Sequence, residues 1–146
     1  MRRFKFSLAP ILSLKVAKED AALRKFGEAV AFRAQTAELL KQANFCRQSH
    51  LDSIQHARAL RLEAVHQQSW FDELNRLEAE CSVCADGFAK AMGEERKAKN
   101  AYLKAHNESK ALHNLKDKRV LQHNKTQEKA NEKELEEIML SRRNAL

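Results

Sequence analysis

Glycine and proline are almost missing from this chain, with 3 Gly and 1 Pro in 146 residues. A sheet protein needs turn residues at short intervals, so a β fold is excluded on this ground. Aromatic residues are also scarce, at 6%, with a single Trp and a single Tyr. A large compact core is not expected from that supply, whereas a narrow seam between helices needs fewer large apolar groups. No apolar run approaches the roughly 20 residues needed to span a bilayer. There is no Gly-rich phosphate loop, no Ser in an elbow motif and no carboxylate pair with a pocket around it. Cysteine is present three times, as Cys46, Cys81 and Cys84. An odd count without a loop-rich framework argues against a secreted disulfide scaffold. The thiols read as reduced and cytosolic.

What remains is the composition of long helices: Ala, Leu, Lys, Glu, Gln and Arg dominate. The net charge of +7 is uneven. Residues 1–18 hold five bases and no acid, residues 19–88 are net −3, and residues 89–146 are net +5. Basic ends can meet nucleic acid, anionic lipid or acidic protein surfaces. Here Lys and Glu interleave, so most of the charge reads as solvated helix face. A bZIP-like DNA reader needs a dense basic region joined to a parallel zipper. The densest cluster, Lys116-Asp117-Lys118-Arg119, is only four residues long and interrupted by an acid, and nucleic acid is not the expected partner.

The opening, MRRFKFSLAPILSLK, raises the question of a targeting segment. It lacks the uninterrupted apolar region of a secretory signal, because Pro10 and two serines break it up. A mitochondrial transit peptide fits residues 1–18 better by composition, being basic, acid-poor and amphipathic. Against that, the apolar pattern continues past residue 18 without a break.

Ser7 is placed to cap a helix, with Pro10 tolerable in its first turn. Apolar residues then recur at three-four spacing: Leu12, Val16, Leu23, Phe26, Val30, Ala37 and Leu40, the slots at Glu19 and Arg33 failing. The pattern degrades from Asn44. No Gly or Pro marks a turn, yet the reversal is expected within residues 48–69. Ser69 followed by Asp72 has the form of a capping box with Asp in place of Glu, which restarts helix near Trp70. A second stripe follows: Trp70, Leu74, Leu77, Cys81, Cys84, Phe88, Ala91, Ala98, Tyr102, Ala105 and Leu112, with Glu95 and Ser109 missing. Gly87 and Gly93 sit inside it, as sites where a partner helix could approach. Leu135, Ile138 and Met139 resume an apolar stripe near the end.

Two stripes with one weak interval predict an all-α fold: one coiled-coil domain over residues 1–146. Helix 1 spans about 8–47, the bend about 48–69 and helix 2 about 70–143, closed as an antiparallel hairpin. The competing architecture is a single helix that dimerises, a rod of roughly 200 Å at 1.5 Å per residue. The hairpin is preferred because the stripe falters once, near the middle. It would bring the two basic ends together. The seam is expected to hold Leu12, Val16, Leu23, Phe26, Val30, Leu40, Phe88, Tyr102 and Leu112.

Cys81-Ser82-Val83-Cys84 has CxxC spacing. A zinc site needs four ligands, and the chain has no second Cys pair and no two histidines three or four apart. A redox CxxC belongs at a strand-to-helix junction, and this one lies inside a helical stripe. Packing is the preferred reading, with no metal and no cofactor. Trp70, Leu74, Leu77 and Cys81 form one helical ridge, which is either seam or, where the partner helix ends, an exposed protein-binding patch. A two-helix hairpin has nowhere to exclude water, so the chain is not expected to be an enzyme.

Phe4-x-Phe6-x-Leu8-x-Pro10-x-Leu12-x-Leu14-Lys15, with Glu19 and a run of Ala after it, resembles the start of the FliJ family of flagellar export proteins. Glu132, Glu134-Leu135-Glu136-Glu137-Ile138 and Arg142-Arg143 resemble that family's acidic-then-arginine ending. The resemblance implies an antiparallel coiled coil similar to the stalk of rotary ATPases. It would be cytoplasmic, peripheral at the inner-membrane face of the flagellar base, and not inserted in the membrane. The implied partners are the hexameric flagellar export ATPase, the cytoplasmic domain of the export gate and the export chaperones. The residues matching the family's gate-binding ridge are Trp70, Leu74, Leu77 and Cys81, with Trp and Cys as departures from its pattern. Lys15, Lys18, Arg142 and Arg143 are the expected ATPase contacts. On this reading the opening stretch is the first turns of a working helix. The alternatives are the stalk of a virulence-type secretion system, or a generic coiled-coil scaffold with a cleaved N-terminal segment.

Overall fold

A computed structural model describes residues 2–60 and 66–145. The fold is all-α: two long helices packed against each other in a helical hairpin, α1 (Ala9–Ala59, 51 residues) and α2 (Gln67–Asn144, 78 residues). Among the described residues there is no strand.

Both helix starts differ from the capping expectations. The first bond of α1 runs from the Leu12 amide to the Leu8 carbonyl at 2.9 Å, so Leu8 is the half-in residue. The Ser7 hydroxyl instead accepts a hydrogen bond from Arg119 at 3.0 Å. In α2 the Trp70 amide bonds the His66 carbonyl at 2.9 Å. Helix therefore begins before Ser69, which lies in its first turn and not at its cap. Arg142 and Arg143 occupy the last turn of α2, where cations complement the carbonyl end of the helix dipole.

α1 also runs past residue 47, through the polar interval that was expected to be bend. The reason is that the covered face continues: Ala43 and Ile54 are buried, and Arg47 and Leu51 half-buried. Most of the polar residues of the interval from Asn44 lie on its exposed face, with Arg47 and His50 half-buried, and no Gly or Pro in it breaks a helix. Residues 61–65, inside the expected bend, lie outside the described residues.

The chain divides into two packing units. One comprises residues 22–102. In it the Phe26 and Tyr102 rings stack at 6.2 Å with planes 4° apart, Arg33 pairs with Glu95, and the His50 Nε2–H donates to the Trp70 carbonyl at 3.1 Å. Partner numbers fall as α1 numbers rise, which is antiparallel pairing. Ala91 is the tightest point, 1% exposed. Gly87 and Gly93 admit no close approach, since a Cβ at either would meet open space. Of the expected seam residues in this unit, Phe26, Val30, Leu40, Phe88 and Tyr102 are half-buried, whereas Leu23 is 48% exposed and its neighbour Ala22 is the more covered.

The other unit comprises residues 1–21 and 103–146. Leu12 is buried, Val16 and Leu112 half-buried. Lys15 Nζ bonds Glu108 Oε2 at 2.9 Å, and His106 Nδ1–H donates to Glu19 Oε1 at 2.8 Å. Residues 2–6 are not helical; they form a strap along α2. The His123 Nε2–H donates to the Arg2 carbonyl at 3.2 Å, Phe4 sits on the His123 ring at 5.6 Å, and the Arg119 guanidinium lies 5.5 Å from the centre of the buried Phe6 ring.

Candidate interaction surfaces

The four heptad misses are not defects scattered along two helices. They meet in pairs. Glu19 of α1 accepts from His106 and from Ser109 of α2, and Ser109 is only 2% exposed. Arg33 of α1 pairs with Glu95 of α2. These four therefore find their partners in the seam, which removes the penalty of burying each alone; the Arg47 Nε on the covered face of α1, by contrast, is buried without a hydrogen-bond partner. The His106 hydrogen bond, then that of Ser109, holds the Glu19 carboxyl below the usual carboxylate range. Lys15 does the same to Glu108, and Arg76 to Glu73.

The ridge Trp70, Leu74, Leu77, Cys81 is split by its surroundings. Leu77 and Cys81 are buried and belong to the seam. Trp70 and Leu74 are half-buried and line an open groove of about 180 Å³ with Leu51, Ile54 and Phe71. Phe71 was missed by the sequence reading because it lies off the ridge; it is more than half exposed. Cys46 is exposed, Cys84 half-buried, and all three thiols are free. Among the described residues no cluster of His, Cys, Asp and Glu could hold a metal ion, and no helix is long and apolar enough to cross a membrane.

The four cations expected to converge do not. Lys15 is tied to Glu108, and Lys18 is exposed on the next turn. Arg142 and Arg143 lie 34 residues beyond Glu108 on the same helix, about 50 Å at 1.5 Å per residue. The strap, which carries Arg2, Arg3 and Lys5, lies instead against the Arg119 and His123 stretch of α2, a stretch that also carries Lys116, Lys118 and Lys125. Sequence reasoning saw both clusters but expected the hairpin to bring the two basic ends of the chain together.

Residues 4–145 match the protein family described as "Flagellar FliJ protein". No curated protein and no solved structure matches the chain.

Proposed function

Since the chain belongs to the FliJ family, and so is a coiled-coil protein related to flagellar export, we propose that it is the non-catalytic stalk of the export apparatus. The observation that carries this reading is the match over nearly the whole chain to a family of that architecture, joined to a hairpin whose polar pairs align its two helices.

In this role the hairpin stands in the ring of the hexameric export ATPase and promotes its assembly and activity. It connects the ring to the cytoplasmic domain of the export gate and to export chaperones, at the cytoplasmic face of the inner membrane. The strap and the adjoining stretch of α2 offer the ring a basic surface, with Lys15, Lys18, Arg142 and Arg143 as further contacts. Exposed ion pairs contribute only about 0–1 kcal/mol each, which suits contacts remade as a ring cycles. The gate contact uses the accessible part of the ridge: Trp70 and Leu74, flanked by Phe71. Leu77 and Cys81 support it from the seam.

The test is ATP hydrolysis by the purified export ATPase of the same organism, with and without this protein. Wild type should stimulate turnover. A variant truncated after Met139, and one carrying Arg2→Glu, Arg3→Glu and Lys5→Glu, should stimulate less. Absence of stimulation together with absence of co-elution in a ring complex would overturn the reading.

A further inference from the structure

Every residue from 128 to 145 is exposed, although α2 runs through to Asn144. This stretch is not uniformly polar. Leu135, Ile138 and Met139 are 57%, 52% and 68% exposed, after an interval, residues 122–134, with no large apolar side chain. At 3.6 residues per turn these three fall within about 100° of one another. They make a compact apolar stripe that no described part of this chain covers.

We propose that this stripe is a self-association surface, covered by the same stripe of a second copy running antiparallel. The order of charges selects both the occupant and the direction. Residues 128–137 carry five acids and two bases, net −3; residues 138–145 carry two bases, Arg142 and Arg143, and no acid. A parallel pair would set like charge against like. An antiparallel pair sets each basic end against the other copy's acidic block.

The flanks agree. Glu132, Glu136 and Arg143 border the stripe on one side, within about 40° of one another at 3.6 residues per turn. In a two-fold antiparallel pair a flank meets the same flank of its partner, and every contact occurs twice. With the axis near residues 137–138, Arg143 of one copy faces Glu132 of the other, and Leu135 packs beside Met139. The surface is short, at the lower end of interface sizes, around 1,000 Å². Association is accordingly weak and reversible.

The proposal does not depend on the export reading, because its test uses the protein alone. Sedimentation equilibrium of the full chain over a rising concentration series should show the mass climbing from monomer towards dimer. Leu135→Ser with Met139→Ser should hold it at monomer. Arg143→Glu should weaken the dimer about tenfold or more, and Glu132→Arg with Arg143→Glu should restore it, net charge and apolar stripe being unchanged. Circular dichroism should show the hairpin intact throughout, since all these positions are exposed. A monomer at every concentration overturns the proposal. So does a dimer indifferent to the serine substitutions, or a charge swap that fails to restore.

Discussion

The seam has two polar layers of opposite design. Around Glu19, a carboxylate faces an imidazole and a hydroxyl, with Ser109 only 2% exposed. Around Arg33, a guanidinium faces a carboxylate, the side chains 35% and 23% exposed. The first layer is built around a small, well-covered hydroxyl, with its imidazole 43% exposed at the edge; the second is built from two long side chains that both reach towards water. Both do what a polar residue at a core position does in coiled coils, which is to specify register at some cost in stability. A helix slid by one heptad would set Arg33 against Phe88 or Tyr102 in place of Glu95, so the guanidinium would lose its carboxylate. An ion pair in a seam is weak evidence for stability; its value here is alignment.

The comparison is broken most severely at Ser109. Ser109→Leu places three carbons in a site sized for a hydroxyl and removes a donor from Glu19, and should lower unfolding free energy by about 2–3 kcal/mol, measured by urea denaturation. A drop well under 1 kcal/mol would mean that the small layer is not tight. The large layer should behave differently. Arg33→Leu strands Glu95 and should lower stability by about 1–2 kcal/mol, less than for a fully buried pair because both groups reach solvent. Glu95→Leu added to it should recover that loss, whereas no single apolar replacement beside Ser109 should.

The smallest effect is with pH. The Glu19 carboxyl has a lower pKa folded than unfolded, through His106 first and Ser109 second. Its contribution is present above the usual carboxylate range and is lost as pH falls through the depressed folded value. Melting temperature should therefore decline on acidification, and decline less steeply in Glu19→Gln. Glu108 adds the same sign through Lys15, so some decline should remain. Parallel curves for the two proteins would show that the small layer does not titrate as described.

The two helices and most of their inward faces were legible in the sequence, because three-four spacing of Leu12, Phe26, Leu77 and Ala91 needs only local geometry. The polar pairs were not. Glu19, Arg33, Glu95 and Ser109 are visible as misses in each stripe, but matching them requires the register, and register depends on where the chain turns. No Gly or Pro marks that place. The end of α1 was set short because residues from Asn44 onward are polar outside, which hid the Ala43, Leu51, Ile54 face. The division of the ridge between groove and seam was beyond pattern alone, since Trp70 and Cys81 occupy equivalent slots and differ only in what α1 presents beside them.

The strap of residues 2–7 has a mechanical consequence. Its attachments to α2 follow one another along the chain: Arg2 and Phe4 on His123, then Phe6 and Ser7 on Arg119. Tension applied at residue 2 and directed away from α2 would load them one at a time, so the strap would unzip at low force. Tension directed along α2 would load them together, in shear, and the same few contacts would hold far better. The strap is a fastening with a preferred direction of release.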